Sequence, residues 1–328
     1  MKPNVDDALI DATSAGLQDQ FRRDVLAGLA QEQKAIPARW FYDRRGSELF
    51  EEITALPEYY PTRTEVRILK DCCPAVAEMA GPGRAVIEFG AGSTAKTPIL
   101  LDCIDAARYV PIDISGPFLR DSCAELQTRY PDLPVHPIEA DFTRSVVLPE
   151  VAQGEELLGF FPGSTIGNMK PAPAVDLLRA MRDTLGDGSL LLIGMDLVKD
   201  RDRLIAAYDD SAGVTAQFNL NVAQRINREL DGSIPVEDMA HKAIWNDRLA
   251  RIEMHLEARR AIDFEVCGQT FSMDAGETIH TENSHKYTDH SATCLLLAGG
   301  WEPVVRFTDE GGLFCVILAR SHTAAVTA

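Results

Sequence analysis

The sequence predicts an α/β protein in which a doubly wound, Rossmann-like parallel sheet is joined to a second, α+β domain. Short apolar segments alternate with helical ones through the middle of the chain, which is typical of βαβ units with right-handed crossovers. After residue 195 this alternation gives way to a long helical stretch and then to strands. We therefore predict a sheet domain over residues 61–195 and 286–328, a second domain over 15–60 and 196–285, and a flexible segment over 1–14.

The segment before the sheet is predicted to be helical. Apolar residues recur at helical spacing over 18–34 and again over 47–56. Thr62 and Glu65 have the spacing of a capping box, which predicts that the next helix begins just after Thr62 and ends near Gly81.

Five strands are predicted for the sheet, at residues 85–89, 109–114, 135–139, 157–161 and 189–194. A helix over 174–185 begins after Pro173 and ends at Gly186. The remaining predicted elements are a helical stretch at 199–230, strands within 250–273, a helix at 291–299 and a last strand at 313–318.

Composition limits the classes of partner. The 328 residues carry a net charge of -18, which argues against a nucleic-acid partner, and no apolar run approaches the roughly 20 residues of a membrane span. The seven cysteines are an odd number without a C-x-x-C pair, and no signal peptide is evident, so we expect a reducing, cytoplasmic location. We expect a small-molecule partner, and the sequence is compatible with a monomer without giving the oligomeric state.

A glycine-rich turn follows the first predicted strand. Glycines at such a turn let the backbone approach a ligand closely. Glu88 precedes Gly90 and Gly92, and a carboxylate beside the turn favours a ligand with a positive end, such as S-adenosylmethionine (SAM). The spacing Gly90-x-Gly92-x-x-Ala95 also fits a dinucleotide fingerprint, so an NAD-dependent dehydrogenase stays an alternative.

Acidic residues close the next two predicted strands. Asp113 can accept hydrogen bonds from the ribose hydroxyls of a nucleoside. Asp141 and Phe142 suit an adenine, since the acid can accept from the exocyclic amine and the ring can stack; a helix N-cap is the alternative for Asp141. A dinucleotide fold has no need of the Asp141-Phe142 pair, so the set favours SAM.

Two further polar segments are candidates for binding a second substrate. The loop from Gly163 to Asn168 follows the fourth predicted strand, where a methyl acceptor should lie, and Asn168 offers an amide. Glu282 and Ser284 alternate, so an extended segment would point both the same way. The spacing of five between His280, His285 and His290 fits no metal site, and we expect no metal.

The chain resembles the histidine-specific, SAM-dependent N-alpha-methyltransferases of ergothioneine biosynthesis from about residue 25 to 320. Several of the shared segments are not generic to methyltransferases. The resemblance is carried by Trp40–Asp43, Gly46–Ser47, Leu49–Phe50, Leu56–Glu65, Phe89–Gly92, Gly163–Asn168, Pro171–Pro173, Asp196–Asp200, Ala207–Asp210, Arg251–Met254 and Thr281–Ser284.

The resemblance implies a SAM-dependent methyltransferase sheet, a substrate-binding second domain and a role for each candidate residue. The SAM contacts that it implies are Gly90, Lys96, Asp113, Asp141 and Phe142. It implies that Asn168 and Tyr208 hold the carboxylate and amine region of the amino acid, and that the amine pocket is lined by Tyr42, Phe50, Tyr59, Gly163 and Thr165. It also implies that Glu282 and Ser284 bind the imidazole, with Met254 packing nearby. Related enzymes act on tryptophan and lack the imidazole-binding acid, so Met254 and Glu282 favour histidine. The implied reaction is methylation of the histidine α-amine to trimethylhistidine (hercynine), with no residue identified as a general base.

Overall fold

The computed structural model describes residues 5–91, 96–114, 116–152, 154 and 156–322. The helices are α1 (Val5–Leu29), α2 (Arg44–Thr54), α3 (Tyr60–Ala80), α4 (Thr97–Leu101), α5 (Gly116–Arg129), α6 (Pro171–Leu185), α7 (Arg201–Ala206), α8 (Val214–Glu229) and α9 (Asp289–Ala298). The strands are β1 (Arg84–Phe89), β2 (Ala106–Asp113), β3 (Ile138–Glu139), β4 (Leu157–Phe161), β5 (Leu190–Asp196), β6 (Met239–Asn246), β7 (Arg251–Ala258), β8 (Ile262–Val266), β9 (Gln269–Met273), β10 (Thr278–His285), β11 (Trp301–Thr308) and β12 (Phe314–Ser321).

The chain divides into two compact units. The large-sheet unit comprises Tyr60–Lys199 and His285–Ala328, and the small-sheet unit comprises Met1–Tyr59 and Asp200–Ser284. Of the N-terminal segment predicted to be flexible, residues 1–4 lie outside the described residues and residues 5–14 begin α1. That one unit binds SAM and the other the amino acid stays a prediction.

The large-sheet unit confirms the predicted α/β fold class. Its seven strands run in the order β11-β12-β5-β4-β1-β2-β3. The pairs β1–β2, β2–β3, β1–β4 and β4–β5 are parallel, whereas β12 is antiparallel to both β5 and β11. Strand order reverses between β1 and β4, and the carboxyl ends of strands at such a point are where doubly wound sheets bind ligands.

The central strands of this sheet, β1, β4 and β5, are buried on both faces because they are apolar on both sides. Ile87 and Ile193 pack with α6 and α9 on one face, whereas Val86 and Leu192 pack with α3 and α4 on the other. Apolar runs without polar alternation, as in β1, are the signature of a parallel strand covered by helices on both faces.

A buried cluster of charged side chains surrounds Asp196, the last residue of β5. The Asp196 carboxylate accepts a hydrogen bond from the Tyr60 hydroxyl at 2.8 Å and lies 2.7 Å from the Lys286 ammonium, and Lys199 also pairs with it. Two ammonium groups and a hydroxyl compensate one desolvated carboxylate, as a buried charge requires. Two residues of the Asp196–Asp200 segment, Asp196 and Lys199, therefore have a structural role in this cluster.

The small-sheet unit contains the sheet β10-β7-β6 and the hairpin β8–β9. The helical stretch predicted at 199–230 is in fact two helices, α7 and α8, separated by a turn in which Gly213 has a φ of 73°. Strands β6 and β10 of this unit, and β11 of the large sheet, were not predicted, since each mixes polar and apolar residues; β10 is nevertheless mostly buried.

Cys73 and Cys103 are joined by a disulfide, with their Cα atoms 6.2 Å apart. The spacing of the cysteines did not predict this bond. The cytoplasmic location stays a prediction. Among the described residues, no helix is both long and apolar enough to cross a bilayer.

Candidate active site

The first candidate SAM-binding turn begins directly after β1. Gly90 has a φ of 77°, which only glycine adopts without strain, and its amide donates to the Ile112 carbonyl on β2 at 2.8 Å. A side chain at Gly90 would lie 3.4 Å from the Phe142 ring. The turn and the Phe142 ring are therefore neighbours, as the prediction requires. Gly92 lies outside the described residues.

Asp113 and Asp141 lie at neighbouring strand ends. Asp113 is the last residue of β2, and its carbonyl accepts from the Ala140 amide at 3.0 Å. Asp141 comes two residues after β3 rather than closing it, and no helix begins there. Its carboxylate accepts from the amide and the hydroxyl of Thr143, at 3.0 and 2.6 Å, which makes a local turn rather than a helix cap.

The Glu88 carboxylate is fully buried within β1. One oxygen accepts from the hydroxyls of Thr97 at 2.7 Å and Tyr109 at 2.6 Å; the other has no partner among the described residues. Burial raises the pKa of Glu88 to about 7, although those hydrogen bonds and the Lys96 charge lower it. The chain thus buries a desolvated acid in the strand that precedes the turn. That Glu88 contacts SAM stays a prediction.

Lys96 is held by a residue that the sequence did not mark as functional. Its ammonium lies 2.5 Å from the Glu65 carboxylate, which is 1% exposed. The same carboxylate accepts from the Gly163 amide at 2.9 Å. The capping-box prediction for Glu65 is wrong, because α3 begins at Tyr60 and Glu65 lies inside the helix. Glu65 therefore joins two predicted ligand-binding segments.

The loop after β4 presents the predicted acceptor-binding residues. Gly163 has a φ of 85°, and the Thr165 hydroxyl donates to the Pro162 carbonyl at 3.1 Å. A short 3-10 helix over Thr165–Asn168 follows. The half-buried side-chain amide of Asn168 makes no hydrogen bond to any residue that the structure describes, so its donor and acceptor are available to a ligand.

In the small-sheet unit, four predicted aromatic residues form one cluster. Tyr42 and Phe50 meet edge to face with centroids 5.7 Å apart, Phe50 and Tyr59 at 6.3 Å, and Tyr59 and Tyr208 at 6.2 Å. Phe218 of α8 completes the cluster, 5.8 Å from Tyr42 and 6.1 Å from Phe50. Phe218 was not predicted as a site residue, although its position on the buried face of an amphipathic helix could have indicated it. Clustered aromatic faces can stabilise a cationic amine.

The predicted imidazole-binding residues lie on β10. Glu282 and Ser284 are both buried, at 9% and 4% exposure. The Ser284 and Tyr208 hydroxyls are 2.7 Å apart, which links β10 to the aromatic cluster. Met254 is buried on β7, and its carbonyl accepts from the hydroxyl of Thr281, the neighbour of Glu282. Whether these residues bind an imidazole stays a prediction.

One group of potential metal ligands lies in the described part of the small-sheet unit. Ligand atoms of Glu253, His255 and His280 are all within 4.8 Å of one another. Burial lowers the pKa of His255, and that of His280 to about 4, so both rings are neutral near pH 7. The Glu253 carboxylate, however, already binds the Arg251 guanidinium at 2.6 Å, which supplies the positive charge that a cation would bring. The absence of a metal stays a prediction.

The amino-acid sequence is similar to those of known methyltransferases. A family model described as "Histidine-specific methyltransferase, SAM-dependent" matches residues 21–321. The histidine N-alpha-methyltransferase of Mycolicibacterium smegmatis is 41% identical over 92% of this chain and 95% of its own length. That of Mycobacterium tuberculosis is 42% identical over 91% and 94%. The 4-dimethylallyltryptophan N-methyltransferase of Claviceps fusiformis is 26% identical over 93% of each chain.

Proposed function

The chain belongs to the family of histidine-specific, SAM-dependent methyltransferases, and from that premise we propose that it methylates the α-amine of L-histidine, the first step of ergothioneine biosynthesis. SAM is the co-substrate and a small molecule the acceptor. The dehydrogenase alternative is dropped, because the family to which the chain belongs is SAM-dependent. We propose hercynine, the trimethylated product, as the end point.

The observation that carries the choice of acceptor is the buried acid on β10. Glu282 lies two residues from Ser284, whose hydroxyl is 2.7 Å from that of Tyr208. A carboxylate can accept a hydrogen bond from an imidazole N–H, and a hydroxyl can serve the second ring nitrogen in either role. Tryptophan has a single ring nitrogen, so it could donate to the carboxylate but would offer no second ring nitrogen to the hydroxyl, and it therefore matches this set less well than histidine does.

The remaining roles are proposed residue by residue. The SAM nucleoside is assigned to Asp113, Asp141 and Phe142, and the charged methionine end to the Gly90 turn with Glu88, Gly92 and Lys96. The amino-acid end of histidine is assigned to Gly163, Thr165, Asn168 and Tyr208, with Tyr42, Phe50 and Tyr59 around the amine, and Met254 beside the imidazole.

The chemistry proposed is an in-line displacement. The neutral α-amine attacks the methyl carbon, the sulfur–carbon bond breaks as the nitrogen–carbon bond forms, and S-adenosylhomocysteine leaves. Each transfer before the last is followed by loss of a proton from nitrogen, so that the lone pair is restored. Positioning of the two reactants contributes several kcal/mol, roughly 7–11 at best. Aromatic rings around the amine tolerate the permanent cation that forms.

Methylation of histidine is tested by incubating the purified protein with SAM and each of the twenty amino acids in turn, and measuring masses. The proposal expects gains of one to three methyl groups on histidine and a much smaller yield on tryptophan. A protein that consumes SAM with tryptophan, but not with histidine, would support the tryptophan alternative. No methylated amino acid at all would overturn both.

A further inference from the structure

A fully buried asparagine in α8 lies behind the proposed histidine-binding residues. Asn219 is 0% exposed, and its side chain contacts three different segments of the small-sheet unit. Its amide nitrogen donates to the His255 carbonyl at 3.0 Å and lies 2.9 Å from Nδ1 of His241. Its amide oxygen accepts from the Thr281 hydroxyl at 2.8 Å. Three of its four hydrogen-bonding positions are therefore used.

The partners of Asn219 determine the orientation of its amide and the tautomer of His241. A backbone carbonyl can only accept, so the amide nitrogen must face His255 and the oxygen must face Thr281. The second amide hydrogen then points at Nδ1 of His241, which must be the unprotonated ring nitrogen. The proton is consequently on Nε2, which lies 2.8 Å from the Tyr208 carbonyl and donates to it.

This chain of hydrogen bonds ends at residues assigned to histidine binding. At one end His241 holds the backbone of Tyr208. At the other end Thr281 precedes Glu282, and its single hydroxyl hydrogen is shared between the Asn219 amide oxygen and the Met254 carbonyl, which is 3.0 Å away. Since the Tyr208 and Ser284 hydroxyls also meet, the loop carrying Tyr208 and the strand carrying Glu282 are connected twice, once through their side chains and once through Asn219.

The electrostatic surroundings keep His241 neutral. Its side chain is 2% exposed, and burial lowers its pKa, although the Tyr208 carbonyl and the charges of Asp209 and Asp210 raise it. The Asp209 carboxylate is 4.0 Å from Nε2. A protonated ring would carry a hydrogen on Nδ1 that faces the amide hydrogen of Asn219. The hydrogen bond from Asn219 to Nδ1 therefore requires the neutral ring.

We propose that Asn219 and His241 are positioning residues that determine the affinity for histidine, by holding the Tyr208 backbone and the Thr281–Ser284 strand in their binding arrangement. The proposal rests on the function proposed above for Tyr208, Glu282 and Ser284. Neither residue is proposed to touch a reacting atom. The expected signature is a change in the KM for histidine that exceeds any change in kcat or in SAM affinity.

The kinetic test uses Asn219→Asp, which keeps the size of the side chain but cannot donate to His255 or His241. The KM for histidine should rise about tenfold or more, since removing a buried donor leaves its acceptors unsatisfied. The Kd for SAM, measured by calorimetry, should stay within about twofold. Asn227→Ala is the matched control: it lies on the same helix and loses two 2.8 Å bonds to the Ile234 backbone, away from Tyr208 and β10. Its KM for histidine should be unchanged.

Two measurements keep the proposal testable if Asn219→Asp does not fold. His241→Gln removes the Nδ1 acceptor and should raise the KM for histidine in the same way. Nitrogen-15 NMR of histidine-labelled wild-type protein should show Nε2 of His241 protonated and Nδ1 not, with the signal assigned by its loss in His241→Gln. The opposite tautomer, or an unchanged histidine KM in either variant that folds, would overturn the proposal. A wild-type protein that ignores histidine yet shows this tautomer would instead overturn the proposed function.

Discussion

The Tyr208 and Ser284 hydroxyls meet at 2.7 Å although 76 residues separate them in the chain. Either hydroxyl can donate, so the pair can turn its hydrogens to suit a ligand. If both bind histidine as one unit, Tyr208→Phe and Ser284→Ala should each raise the KM for histidine. Their effects should be non-additive, with a coupling energy of about 0.5–3 kcal/mol in a double-mutant cycle of kcat/KM. Strictly additive effects would show that the pair does not act together.

Glu282→Ala should impair histidine binding and relax selectivity. Losing the partner of a buried imidazole N–H costs about 1–3 kcal/mol, roughly a five- to 150-fold rise in the KM for histidine. The ratio of kcat/KM for histidine to that for tryptophan should fall. Glu257→Ala is the control, since Glu257 forms an ion pair with Lys242 at the surface of the same sheet. Unchanged histidine kinetics in Glu282→Ala would remove this acid from the site.

Asp113→Ala should weaken SAM binding. A carboxylate that accepts from ribose hydroxyls makes charge-assisted hydrogen bonds worth about 1.5–3 kcal/mol, so the Kd for SAM should rise roughly tenfold to 150-fold in calorimetry. Asp102→Ala, which removes an exposed partner of Arg129 in the same unit, should leave the Kd unchanged. Equal SAM affinity in Asp113→Ala and wild type would mean that other residues hold the ribose.

Asn168→Ala should separate binding from stability. The side-chain amide has no hydrogen bond to the described residues, so its removal should change the free energy of unfolding by less than about 0.5 kcal/mol. The kcat/KM for histidine should nevertheless fall by about tenfold or more, because a ligand loses a polar partner. Urea denaturation and steady-state kinetics measure the two quantities. A destabilised variant with normal kinetics would assign Asn168 a structural role instead.

Glu88 should make stability depend on pH near neutrality. Burial raises its pKa from 4.5 to about 7, so between these values the folded state binds more protons than the unfolded state. By linkage, the Glu88 contribution to stability is greatest below about pH 4.5 and declines as pH rises to about 7, by about 3 kcal/mol in total. Glu88→Gln should remove this decline, so its unfolding free energy relative to wild type should improve from pH 5 to pH 8. Parallel pH profiles would contradict the buried, protonated acid.

Much of the large-sheet unit was predictable because its signals are local. Asp113 could be placed at a strand end since an apolar β-branched run precedes it, and parallel strands bring such ends to one edge of the sheet. Gly90 could be placed because it directly follows the apolar run of β1, where the turn needs glycine. The strand predicted at 135–139 ends at Glu139 as β3 does, so Asp141 follows it by two residues in both, but β3 begins only at Ile138 because its apolar run is short.

The role of Glu65 could not be read from its neighbours. Its sequence context fits a capping box, yet Tyr60 already begins the helix, and its partners Lys96 and Gly163 lie 31 and 98 residues away. The roles of Asn219 and Phe218 were equally unpredictable from the sequence, because the contacts of both residues depend on which elements α8 packs against. Local pattern marks a helix face as buried but does not reveal which polar groups it meets there.

The central claim, transfer of methyl groups from SAM to the α-nitrogen of histidine, is tested most directly by locating the transferred carbon. Histidine is incubated with the purified protein and SAM carrying a carbon-13 methyl group, and the product is examined by two-dimensional NMR. The account predicts correlations from the labelled methyl hydrogens to the α-carbon of histidine. Label on an imidazole nitrogen, or no label on histidine, would contradict it.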